Sequence, residues 1–134
     1  MARVEKEEKL RYFNYTEFDS PDEVGSGQKM NPKLLIMLDR VRDKFDKPMY
    51  ITSGYRTLAH NEKVGGKMPD ADGNGGSSHL RGLAVDISCK TSLDRFDLIN
   101  CLLDVGFNRI GIASTFIHVD IDSEKTPNVI WTYA

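Results

Sequence analysis

The stretch Ser77-Ser78-His79-Leu80-Arg81-Gly82-Leu83-Ala84-Val85-Asp86-Ile87 is answered downstream by Phe116-Ile117-His118-Val119-Asp120-Ile121. Successive side chains of an extended chain point to opposite faces, so residues two apart share a face. In the first stretch Leu83, Val85 and Ile87 fall on one face, and Gly82, Ala84 and Asp86 on the other. In the second, Ile117, Val119 and Ile121 face one way and Phe116, His118 and Asp120 the other. Two such strands predict a sheet with one apolar face on a core and one face carrying polar groups. A carboxylate set among apolar residues must find a partner, because burying an unpaired charge is prohibitive.

The flanking segments decide the fold class. Asn31-Pro32 opens a helix, with Asn31 as N-cap and Pro32 at the first helical position. Leu34, Leu35, Leu38, Val41 and Phe45 recur at helical spacing through about Lys44, and Lys47-Pro48 ends the element. Residues 49–54 read as a short apolar strand running into a glycine turn. Residues 58–76 are polar and glycine-rich, with 67–76 the most loop-like part of the chain and His60 on the surface of a helical turn. Beyond the strand at 82–88, Ser92 is the expected N-cap of a second amphipathic helix that Gly106 stops. Residues 108–112, 116–121 and 129–133 read as strands, with a turn at Ser114-Thr115. The aromatic segment 12–18 is expected to pack on the core as an edge. Two helices and several short strands without βαβ alternation predict an α+β fold with a small, mainly antiparallel sheet flanked by helices.

With 134 residues, the chain is expected to form one domain over 12–134, behind a charged lead-in at 1–11, and to work as a monomer. A chain of this size buries roughly two thirds of its unfolded surface without staples. The formal net charge of -2 gives no general pull toward nucleic acid or an anionic membrane. No apolar run is long enough to cross a bilayer, and the charged start lacks the apolar core of a secretory signal. Synthesis in the cytoplasm is therefore expected, with any target outside the cell reached through lysis, a non-classical route or removal of a leader. Cys89 and Cys101 lack C-x-x-C spacing and are expected to be buried free thiols with no catalytic role.

His79, Asp86 and His118 are then the residues to explain. Taken singly, a strand histidine is a satisfied core or edge residue, and Asp86 could cap a turn or pair with an arginine. Together, two imidazoles and one carboxylate form a standard three-ligand set for a catalytic zinc, with the fourth position left to water. The same donors suit iron, but an iron oxygenase needs a cosubstrate site that is not visible here.

These residues also carry a resemblance. Ser53-Gly54-Tyr55-Arg56-Thr57, Asn61, Val64-Gly65-Gly66, the S-x-H-x-x-G-x-A-x-D element from Ser77 to Asp86, and Ile117-His118-Val119-Asp120 occur in this order. Over roughly residues 12–133 the chain resembles the M15 family of zinc peptidases, on the D-Ala-D-Ala carboxypeptidase and murein endopeptidase branch that includes phage lysins. The helix from Asn31 and the terminal Trp131 fit the same layout. The resemblance implies a hedgehog/DD-peptidase-like fold, and one zinc held by His79, Asp86 and His118. It also implies that Arg56 anchors or polarises substrate, that Ser78 supports a ligand or contacts substrate, and that a peptide bond of bacterial peptidoglycan is cut.

One departure stands out. Several members of that family carry an acidic general base three residues before the second zinc histidine, where this chain has Thr115. Asp120, on the face of His118 and ~7 Å further along the strand, is the substitute candidate; otherwise it orients a neighbouring ligand or holds Arg56. The catalytic candidates are thus Asp120 and Arg56. A zinc- or wall-binding module without catalysis, or a tail-associated structural protein, is the competing expectation. Small size and the missing leader point toward a phage endolysin or prophage remnant.

Overall fold

The computed structural model describes residues 9–133. Positions 1–8 of the charged lead-in lie outside the described residues. Its end is tied down, with Leu10 against the core and the Arg11 N–H on Asp39 Oδ2 at 2.9 Å.

Helix α1 (Pro32–Phe45) begins where its sequence requires. The Asn31 side chain accepts from the Lys33 and Leu34 N–H groups at 2.8 and 3.4 Å, satisfying donors that have no partner inside the helix. Leu34, Leu35, Leu38, Val41 and Phe45 are all buried. Helix α2 (Leu58–Lys63) is a short piece capped by Thr57, and His60 lies on it, half-buried. Helix α3 (Ser92–Val105) ends at Gly106, whose φ of 117° favours glycine.

Five strands form one sheet: β1 (Ile51–Ser53), β2 (Ala84–Ser88), β3 (Arg109–Ile112), β4 (Phe116–Asp120) and β5 (Val129–Thr132). Their order is β1-β2-β4-β3-β5, antiparallel throughout except for the parallel β3–β5 pair. The fold is α+β, as the sequence predicts. Val85, Ile87, Ile110, Ile117 and Val119 meet α1, Leu98 and Leu102 of α3, and Phe13, Phe18 and Phe107 in one continuous core. Each such side chain, fully buried, contributes roughly 1.5–3 kcal/mol. The opposite face of the sheet is left to the polar residues.

Segment 12–18 packs on the core, as expected, without forming a strand. Tyr15–Phe18 is a 3₁₀ turn, held by the Asn14 N–H on the Glu17 carboxylate at 2.8 Å, and Phe13 and Phe18 enter the core with ring centres 5.6 Å apart. Two other expectations need correction. The N-cap of α3 is Thr91, not Ser92. Thr91 is extended (φ -119°, ψ 154°) and its hydroxyl accepts from the Asp94 N–H at 3.1 Å, while Ser92 is already helical. Only Cys89 is buried. Cys101 is half-buried, and both thiols are free.

Candidate metal centre

Strand register builds the site. Asp86 of β2 pairs directly with His118 of β4, and His118 with Gly111 of β3. Gly111 in turn pairs with Trp131 of β5, while Ser53 of β1 flanks Asp86 on the far side. One row thus crosses the sheet on its polar face.

His79 joins the row from outside it. It sits in a 3₁₀ turn (Ser78–Arg81) that Gly82 closes at φ 69°. Gly82 is doubly required, because a Cβ there would lie 2.4 Å from the Lys29 carbonyl oxygen. The His79 Nδ1 stands 2.8 Å from the Gly54 carbonyl, which only accepts, so Nδ1 carries the proton and Nε2 is left with its lone pair. That Nε2 points at Asp86 Oδ1, 3.4 Å away.

His118 is gripped at both nitrogens. Its Nδ1 lies 2.9 Å from Asp86 Oδ1 and its Nε2 lies 2.8 Å from Asp120 Oδ2. One ligand atom from each of His79, Asp86 and His118 lies within 4.8 Å of the others, and all three residues are buried. Ligand atoms around a tetrahedral zinc, with bonds of about 2.0–2.1 Å, stand roughly 3.3–3.4 Å apart. The 3.4 Å from His79 Nε2 to Asp86 Oδ1 matches that spacing, and the 2.9 Å from His118 Nδ1 to the same oxygen is shorter.

The electrostatics point the same way. Burial pushes the Asp86 carboxyl up, but hydrogen bonds with His118 and His79 prevail and hold it well below the usual carboxylate range. Burial lowers His79 and keeps it neutral, the form in which histidine binds a metal. Burial also disfavours charge on His118, yet the carboxylates of Asp120 and Asp86 raise it overall. The His118 pocket is therefore built for positive charge, which a divalent cation supplies without the proton.

Arg56 is fixed at the edge of the group. Its Nε donates to Ser53 Oγ at 3.1 Å and its Nη1 to Asn61 Oδ1 at 3.0 Å, while Nη2 stands 3.6 Å from Asp86 Oδ2. The loop approaches it closely, since a Cβ on Gly66 would meet Asn61 Oδ1 at 2.1 Å and Arg56 Nη1 at 2.8 Å. Gly65, Gly66 and Lys67 line the same cleft, of about 360 Å³. A larger hollow of about 530 Å³ between α1 and the end of α3 holds none of these ligands.

Asp120 and Ser78 are where the sequence places them, but in company it does not show. Asp120 is 1 % exposed, and its Oδ1 accepts from Arg109 Nε at 2.7 Å and from the Asp122 N–H at 3.1 Å. With Oδ2 on His118, both oxygens are committed. The Ser78 hydroxyl donates to Asp122 Oδ2 at 2.6 Å, and Arg81 pairs with the same carboxylate. Arg109, Arg81 and Asp122 carry no local sequence signal, because each acts across the fold on a residue distant in the chain.

Two imidazole nitrogens and a carboxylate oxygen converge beside a fixed guanidinium, a candidate metal site of the class that metal-dependent hydrolases use. A family model for Peptidase M15 matches residues 11–120, and the chain belongs to that family of metallopeptidases. No curated relative matches it.

Proposed function

We propose that the protein hydrolyses peptide bonds in the stem peptides of bacterial peptidoglycan, as a carboxypeptidase or endopeptidase, with one zinc held by His79, Asp86 and His118. The convergence of those three side chains on the polar face of the sheet carries the reading. Bound zinc would polarise a scissile carbonyl and bring the pKa of a water toward neutrality.

The protein's own groups do the rest. Gly54 fixes the His79 tautomer, and Asp120 accepts the His118 Nε2 proton, which turns Nδ1 inward. This is the support that metal-bound histidines take from a carboxylate or carbonyl behind them. The engagement of both Asp120 oxygens favours this orienting role over that of general base. Ser78, its hydroxyl on Asp122, supports the turn that carries His79. Arg56 offers a rigid fork of donors to a substrate carboxylate at the mouth of the cleft. Among the described residues no helix is long and apolar enough to cross a membrane.

Metal analysis together with peptide release from purified peptidoglycan, with and without chelator, tests the proposal. One equivalent of zinc and chelator-sensitive release are expected, and fragment masses name the bond. Zinc without release would mark a non-catalytic module on the same scaffold, and the absence of zinc would end the hydrolase reading.

A further inference from the structure

The wall of the cleft formed by β4 and β5 is aromatic, and its outer member carries a hydroxyl without an assigned task. Tyr133 follows β5, and its N–H donates to the Ile112 carbonyl at 3.0 Å, extending the parallel pairing by one residue. Two residues beyond Trp131, it shares the polar face of the sheet. Its ring packs against Phe116 at 5.4 Å and Trp131 at 6.4 Å, and Trp131 packs against His118 at 5.6 Å.

Trp131 backs the Tyr133 ring on the cleft face, and a phenol O–H can donate as well as accept. Tyr133 lines the metal cleft together with Arg56, His79, Asp86 and His118. Tyr133 is 45 % exposed, open to a ligand entering from solvent. Both acidic groups of the cleft are already committed to histidines, and Arg56 is reserved for a substrate carboxylate. A neutral donor beside the scissile bond is a function these groups leave open.

We infer that Tyr133 is a catalytic residue, whose hydroxyl donates a hydrogen bond to the scissile carbonyl oxygen as that oxygen becomes negative. This rests on the hydrolase reading above. In the reaction the water oxygen bonds to the carbonyl carbon, the C–N bond breaks, and a proton originating from the water reaches the leaving amine. Tyr133 gives up no proton and stabilises charge only. Trp131, packed between Tyr133 and His118, is its positioning residue.

The experiment is Tyr133→Phe in the full chain loaded with zinc. The substitution keeps the ring and its packing and removes the donor. Zinc stoichiometry and the urea midpoint should match wild type, while kcat falls about 10–100-fold with KM within about twofold, as for loss of one oxyanion donor at a partly open site. A phosphinate isostere of the cleaved peptide, whose tetrahedral anion mimics the transition state, should lose affinity by a similar factor, and the cleaved product should not. Trp131→Phe, which shrinks the ring that backs Tyr133, should lower kcat in the same direction by less. Unchanged kcat and phosphinate affinity in Tyr133→Phe overturn the inference while the hydrolase stands. A wild-type protein that takes up no zinc or cleaves no wall peptide overturns the hydrolase reading and this inference together.

Discussion

His118 has a carboxylate at each ring nitrogen, and the two carboxylates do different work. Asp86 shares the inner side with His79, whereas Asp120 takes the outer nitrogen and is itself held by Arg109. Asp120→Asn keeps the shape and an acceptor but loses the charge. Zinc affinity is expected to fall about 10–100-fold, the usual cost of a lost partner behind a metal-bound histidine. Competition against a chromophoric chelator measures it. Unchanged affinity with turnover reduced ~10²–10⁴-fold would instead make Asp120 the general base. Gly111 is a second residue whose identity the site demands. Its Cβ would sit 2.7 Å from the Trp131 ring, so the indole can cross β3 to reach His118 only over glycine. Gly111→Ala should displace Trp131 and cost ~1–3 kcal/mol, as overpacking does. Urea unfolding gives the energy. The fluorescence reports the displacement without ambiguity, because Trp131 is the single tryptophan of the chain.

At the level of elements, α1 and the β2–β4 pair were legible because their periodicities are unmixed. Asn31-Pro32 leaves one starting point for the helix, and alternation along 83–87 and 117–121 assigns both faces. His79, Asp86 and His118 followed from that alternation and the family motif. Arg109 and Tyr133 did not: Arg109 meets Asp120 through the β3–β4 register, and Tyr133 reaches the cleft because β5 pairs in parallel with β3 across a long connection, neither of which a local pattern encodes. The start of α3 was blurred for a smaller reason: Thr91 and Ser92 both bear a hydroxyl, and choosing between them needs the backbone angles. The difference is measurable. Thr91→Ala should cost about 1 kcal/mol, the usual value of an N-cap, whereas Ser92→Ala at the first helical position should stay within about 0.5 kcal/mol. Equal losses in chemical denaturation would contradict the assignment.

Across the molecule, one buried carboxylate joins the two halves of the site. Asp122 lies just past β4, which bears His118, and receives Ser78 and Arg81 from the turn that bears His79. It also accepts the Glu124 N–H at 3.1 Å. Burial raises its pKa, but the Ser78 hydroxyl, the Glu124 amide and Arg81 outweigh burial and hold it below the ordinary 3.8. On acidification the unfolded chain therefore takes up this proton first, near 3.8, and the folded protein only at lower pH. Stability from Asp122 is present above the unfolded value and is lost as pH falls through the folded one. Asp86 and Asp120 are depressed in the same direction and steepen the loss. Asp122→Asn should remove its share of this slope and cost about 2–3 kcal/mol at neutral pH, less than the ~3–5 kcal/mol of a fully buried broken pair. The discount follows from Arg81, whose side chain is 31 % exposed and can turn to water. Urea midpoints of the metal-free wild type and Asp122→Asn, taken from about pH 6 down to about pH 2, should converge as the wild-type carboxylate becomes protonated. Curves that stay parallel would show that Asp122 is not the group whose protonation uncouples the His79 turn from β4.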